Sequence, residues 1–179
     1  MQSDIVFSGR FGSGKTTLAR ATAASLGGGY AGFGATIKRI AVERSLPTTR
    51  EDLQALGEQL VLDRAEELCR RVIAERDPPV AARSIIDGLR HKEVYEILRR
   101  LSEPKRLLCI FVDLPNDIRI ERIKAREAWS DSQISQIDHH STEIQVGTVI
   151  RSLADIIVDN SKSIQSVIDE IVWAINQRE

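Results

Sequence analysis

A chain of 179 residues favours one domain with room for a small inserted lid, and its 42% hydrophobic content suits a soluble globular core. The 25 Lys and Arg nearly cancel the 26 Asp and Glu, leaving a formal charge of −1, which argues against a protein built mainly to coat nucleic acid. No stretch approaches the roughly 18 apolar residues of a membrane span, and strand-like sequence begins too early to leave space for a signal peptide, so a cytoplasmic location is expected.

The first element is "DIVFS" (Asp4–Ser8), a short apolar run that reads as a buried strand feeding a helix over Thr16–Leu26. Between them stands "GRFGSGKTT", in which Gly9, Gly12, Gly14, Lys15 and Thr16 satisfy the pattern G-x-x-x-x-G-K-T. Glycines let such a loop turn its N–H groups onto an anion, and the N-terminus of the following helix adds positive potential. Lys15 would reach the outer phosphates and the Thr16 hydroxyl would ligate Mg²⁺. Nucleotide binding is the expected consequence.

Gly27–Gly29 supplies a helix stop, "YAGFG" reads as a turn, and Ala35–Ser45 as a helix ending near Pro47. Thr48 and Thr49 each stand three residues before an acid, Glu51 and Asp52, as a helix start does. A long helix with Leu53, Leu56, Leu60, Val61, Ala65 and Leu68 on one face then runs to Asp77–Pro79. Gly57 inside it marks either a close backbone contact or a tolerated surface position.

"RSIIDGLR" predicts a strand over Ser84–Asp87, a glycine turn, and a helix from His91 to Leu101; "KRLLCIFVDLP" predicts a strand ending at Asp113. Asn116–Glu127 is a base-rich helix that passes into a polar, lid-like segment at about 127–143. "ADIIVDNS" is a further strand, and the last helix, begun at Ser163, buries Ile164, Val167, Ile168, Ile171, Val172 and Ile175. No internal repeat is present. Cys69 and Cys109 lie in apolar-periodic segments and read as reduced core thiols. Apolar runs alternating with helices indicate an α/β fold, a three-layer, five-stranded parallel sheet covered on both faces with a short lid. Ligands of such sheets lie beyond the carboxyl ends of the strands, which gathers Gly9–Thr17, Asp87–Arg90 and Asp113–Pro115 around one crevice.

An aspartate at a strand end facing a phosphate loop can hold Mg²⁺ through its water shell. Asp87 is the first candidate and Asp113 the second. Arginine suits phosphoryl transfer because its planar fork grips phosphate and keeps its proton. Arg90 lies three residues beyond Asp87, and Arg119, Arg122 and Arg126 form a helical stripe that is either functional or a solvated basic face.

"GRFGSGKTTLA", "IIDGLR" and "FVDLPNDIRIERIKARE" resemble, in order and spacing, the P-loop small-molecule kinases of the adenylate kinase-like group. The second resembles their D-G-x-P-R turn, one residue shorter and without the proline, and implies that Arg90 binds an acceptor phosphate. The third resembles their D-x-P turn and R-x-x-x-R helix, which implies donor contacts for Arg122 and Arg126 but not Arg119. "ATIKRIA" and "TREDLQALGEQL" are similar to segments of the deoxynucleoside monophosphate kinases and dephospho-CoA kinases, placing Lys38 and Arg50 at the acceptor site. The resemblance thus implies ATP and Mg²⁺ as cofactors. The donor would be held by Gly9, Gly12, Ser13, Gly14, Lys15, Thr16, Thr17 and Arg122, with metal at Thr16 and Asp87 through water. Lys15, Asp87, Arg122 and Arg126 would form the catalytic set. The acceptor would be a small phosphorylated molecule, a nucleoside or deoxynucleoside monophosphate. Dephospho-CoA, phosphomevalonate or a hydroxymethylated base in DNA are the alternative acceptors, and a nucleotide switch or ATPase the alternative class. Asp138, His139 and His140 could be read as metal ligands, but adjacent histidines rarely face one ion, and a polar lid loop is expected instead.

Overall fold

The computed structural model describes residues 2–179. Five strands, β1 (Asp4–Ser8), β2 (Gly29–Gly32), β3 (Ser84–Leu89), β4 (Leu107–Asp113) and β5 (Ile156–Asp159), form one sheet in the order β2-β3-β1-β4-β5. Every neighbouring pair is parallel. Alternation along β1 sends Val6 to one face and Ile5 and Phe7 to the other, and the two faces carry separate cores. Helices α1 (Lys15–Leu26) and α9 (Ile164–Asn176) cover the Phe7 side; α2 (Phe33–Glu43), α3 (Arg50–Ala74) and α4 (Lys92–Ser102) cover the Val6 side. The expected three-layer α/β arrangement is the observed one. Among the described residues no helix is long and apolar enough to cross a membrane.

The segment expected to be a turn, "YAGFG", is instead the edge strand β2 running straight into α2. Its glycines serve packing: a Cβ at Gly28 would lie 2.8 Å from Ile85 Cγ1, and one at Gly29 2.6 Å from the Pro78 carbonyl. Gly57 is buried where α3 approaches α2, with a would-be Cβ 3.1 Å from Ile37 Cδ1, so close contact is its role. The β3 strand also runs past its expected end. Gly88, at φ +97, makes a bulge that shifts the register with β1 between Phe7 and Ser8, and Arg90 follows directly at the strand's end.

Helix starts follow their caps: Thr49 Oγ1 accepts from Asp52 N–H and Ser163 Oγ from Ser166 N–H. Beyond α5 (Asn116–Glu127) the lid-like segment is not a loop. It folds as α6 (Asp131–Asp138), which Ser130 opens with a capping box, and α7 (Ser141–Gln145), which continues through a π-helical turn at Val146–Ile150 into α8 (Arg151–Leu153). Cys69 and Cys109 are buried free thiols, each pushed up to about 12 by burial.

Candidate active site

The phosphate loop leaves the carboxyl end of β1 and is shaped by what surrounds it. Gly12 (φ +82) and Gly14 (φ +86) take left-handed backbone that disfavours side chains, and a Cβ on Gly12 would strike Ile123 Cγ1 at 2.6 Å. Asn160, just past β5, donates from Nδ2 to the Ser13 carbonyl at 2.7 Å. Arg119 is buried inside α5; its guanidinium donates to the Phe11 carbonyl (3.1 Å), to Asn116 and to Asp138 of α6. Asp138 also pairs with Arg10 at 3.1 Å. Arg119 is therefore a strut of the loop and no part of a solvated stripe.

Asp87 lies next to the loop. Its Oδ2 accepts from the Thr16 hydroxyl (2.7 Å) and from the Tyr30 hydroxyl (3.2 Å). Its Oδ1 is buried with no hydrogen-bond partner among the described residues. A hydroxyl at the head of α1, facing a carboxylate with one free oxygen, is the donor set that a hydrated Mg²⁺ accepts, so these residues fit the ion. Asp113 is elsewhere: its Oδ2 pairs with Arg151 at 3.0 Å and is well exposed. Burial and the Asp87 carboxylate push the Tyr30 phenol up to about 12.

Lys15 is half-buried, and crowding by protein around its ammonium, helped by the Arg90 charge, lowers its pKa to about 8; Asp87 and Glu143 oppose that shift. Arg50, at the first turn of α3, is lowered by burial and by Arg90. Arg50 and Arg90 thus lie near enough to Lys15 to disfavour its charge, and two carboxylates, Asp87 and Glu143, near enough to favour it. Glu143 belongs to α7 and is buried; its Oε2 accepts from the Phe11 N–H at 2.9 Å and its Oε1 pairs with Arg90. Burial alone would raise its pKa, but Arg90, the Phe11 N–H and Lys15 outweigh that and hold Glu143 below the usual carboxylate range.

The Arg50 guanidinium lies 3.9 Å above the Phe11 ring and 4.9 Å above Trp129, and the two rings stack at 5.3 Å. Arg126 approaches the Phe11 ring at 5.3 Å and pairs with Glu127. On the other side of the loop a cavity of about 310 Å³ is lined by Gly12, Gly14, Thr17, Arg122, Arg126 and Asn160. Arg122 donates to the Asn160 carbonyl at its rim (3.1 Å).

Of the residues singled out by sequence, Asp87 is bonded to the loop's Thr16, Arg90 and Arg50 act on the charge of Lys15, and Arg122 and Arg126 line a cavity beside Gly12 and Gly14. Lys38 does not join them: it stands on the exposed side of α2 without a hydrogen bond or ion pair among the described residues. Among the described residues no group of three metal-ligating side chains occurs. His140 instead caps α7, its Nδ1 accepting from the Thr142 N–H, while its Nε2 lies 3.6 Å from Glu58. Phe11, Tyr30, Trp129, Glu143 and Asn160 are not among the residues singled out by sequence. Of these only Asn160 carried a usable signal, its place at the end of a strand facing the loop.

A family profile described as an AAA domain matches residues 5–144. The chain belongs to the AAA domain family. Curated relatives of this AAA-domain chain include a UPF0200 protein of Aeropyrum pernix, 28% identical over 167 residues, covering 91% of this chain and 87% of that one. Another UPF0200 protein, from Thermococcus gammatolerans, is 26% identical and covers 97% of each. The fold is that of small-molecule P-loop kinases. The shikimate kinase of Acinetobacter baumannii in complex with shikimate superposes with a TM-score of 0.70 at 16% identity, over 100% of this chain and 96% of that one. The APS kinase of Mycobacterium tuberculosis in complex with AMPPNP and APS gives 0.63 at 16% identity, over 98% of each.

Proposed function

We propose that the protein is an ATP:Mg²⁺-dependent kinase of a small phosphorylated acceptor, a nucleoside or deoxynucleoside monophosphate, working in the cytoplasm. The observation that carries this reading is the Thr16 hydroxyl bonded to Asp87 at 2.7 Å beside Lys15, a lysine whose charge is also felt by the Arg90 and Arg50 guanidiniums. Phosphoryl transfer leaves proteins little covalent work, so catalysis is positioning and neutralisation of charge spread over the phosphate oxygens.

In this scheme the N–H groups of the loop and Lys15 hold the donor's β- and γ-phosphates, and the nucleoside lies in the cavity beside Arg122, Arg126 and Thr17. Thr16 and Asp87 would hold Mg²⁺, which would supply positive charge to offset that of the donor phosphates. Arg90 and Arg50 seat the acceptor phosphate. Arg126, at the edge of both the cavity and the Phe11 ring, neutralises charge as the phosphoryl group moves. An acceptor that already offers a phosphate oxygen needs no strong base.

One observation favours a second reading, a hydroxyl acceptor: the unpartnered, buried Asp87 Oδ1 could take an alcohol proton. A panel of nucleoside and deoxynucleoside monophosphates, dephospho-CoA and neutral alcohols with radiolabelled ATP separates the two. Transfer to a monophosphate is the expected result. Label appearing only in alcohols would establish the second reading, and label released only as free phosphate would replace both with an ATPase.

A further inference from the structure

Glu143 is an acid where a phosphate-binding site should have none. Its buried carboxylate receives one N–H of the phosphate loop, that of Phe11, and one guanidinium, that of Arg90. Its charge also acts on Lys15, pulling that pKa upward. An N–H of the loop, an arginine and the nearby lysine are the partners a phosphate oxygen would be offered there. A carboxylate satisfies them with one negative charge spread over two oxygens.

The helix that carries Glu143 is fastened independently of that contact. Thr142 Oγ1 donates to Glu58 of α3 at 2.9 Å, His140 caps α7, and Val146 and Ile150 are fully buried just beyond it. The docking of α7 therefore does not depend on the Glu143 carboxylate alone.

We propose that Glu143 is a specificity-determining residue, an internal stand-in for the substrate's anion that admits only ligands charged enough to take Arg90 and the Phe11 N–H from it. A dianionic phosphate group outcompetes one carboxylate for these donors; a neutral or monoanionic group does not. The inference rests on the phosphate reading of the loop and not on the identity of the acceptor, so the acceptor panel can fail while this inference stands.

The test uses inorganic tripolyphosphate and, separately, acetate, titrated into the full-length protein by calorimetry. Glu143→Gln keeps one oxygen, able to accept from the Phe11 N–H or from Arg90 but no longer from both at separate oxygens, and removes the competing charge. Tripolyphosphate should bind it about tenfold or more tightly than wild type, and acetate, which does not displace Glu143, should become a measurable ligand. Equal or weaker tripolyphosphate binding by Glu143→Gln overturns the inference, because a residue that merely fastens the lid would act in that direction. The wild-type protein gives a second reading by nuclear magnetic resonance. The Phe11 amide proton and the Arg90 guanidinium should shift together as tripolyphosphate saturates. A Glu143–Arg90 pair that persists at saturation would also overturn it.

Discussion

Nucleotide binding at alkaline pH should draw a proton onto Lys15. In the ligand-free protein burial and Arg90 bring this ammonium from 10.5 to about 8. A tri- or tetra-anionic phosphate chain set against it reverses both effects and keeps it charged. At pH 9 the free lysine is about nine-tenths neutral, so binding should take up about 0.9 proton; at pH 7 it should take up about 0.1. Calorimetry of ADP binding in two buffers of different ionisation enthalpy reads that number directly, and the phosphates themselves are fully ionised at pH 9. The same shift has a stability counterpart. The fall from 10.5 to about 8 corresponds to about 3 kcal/mol of disfavoured charge, which solvent contact of this half-buried group trims to about 1–2. Below pH 8 both folded and unfolded chains carry the proton and the penalty is full. Between pH 8 and 10.5 the folded chain alone gives it up, so stability rises with pH there. Lys15→Met should thus be more stable than wild type at pH 7 by that amount, with the difference closing toward pH 10.5, and should lose nucleotide binding. Proton uptake under about 0.2 at pH 9 would refute the assignment of a suppressed, phosphate-facing lysine.

Two further outcomes follow from the surrounding contacts. Arg119→Met should destabilise the fold by about 2 kcal/mol in urea denaturation, because it strips one partner from the partly buried Asp138, which keeps Arg10, and one from the Phe11 carbonyl; a loss under about 1 kcal/mol would mean the strut is not needed. Asp87→Asn should lower turnover at least about tenfold with a smaller effect on ATP affinity, whereas Asp113→Asn, which loses only an exposed pair with Arg151, should turn over nearly normally. If Asp113→Asn is the more damaging change, the two strand-end acids have been assigned the wrong way round.

The readable parts of this chain are those where local chemistry and fold agree. Gly12, Gly14, Lys15 and Thr16 are fixed in spacing because the loop has to close around an anion, and strand-then-Asp places Asp87 by topology alone. Tyr30 was hidden because its strand is bracketed by glycines, which mark turns more often than the tight packing against Ile85 and Pro78 that they serve here. Glu143 and Trp129 had no signal at all. They sit in a polar stretch whose two short helices bury only a few side chains, so no periodicity announces them, and their partners Phe11, Arg50 and Arg90 are distant in sequence. Arg119 looked like its neighbours on the stripe. Only the fold shows that the face of α5 bearing it turns inward.

The clamp between Asn160 and the Ser13 carbonyl joins residues 147 positions apart. A ribosome delivers the loop long before it delivers β5, at roughly 5–20 residues per second. During that interval the Ser13 carbonyl lacks the Asn160 amide that anchors the loop and so sets the directions of its N–H groups. Nascent chains arrested before residue 160 should therefore leave nucleotide unbound even though the whole G-x-x-x-x-G-K-T segment is already exposed. Affinity for nucleotide would arise in a single late step, when the last strand docks beside β4, and measuring retention of stalled chains on nucleotide resin would locate that step.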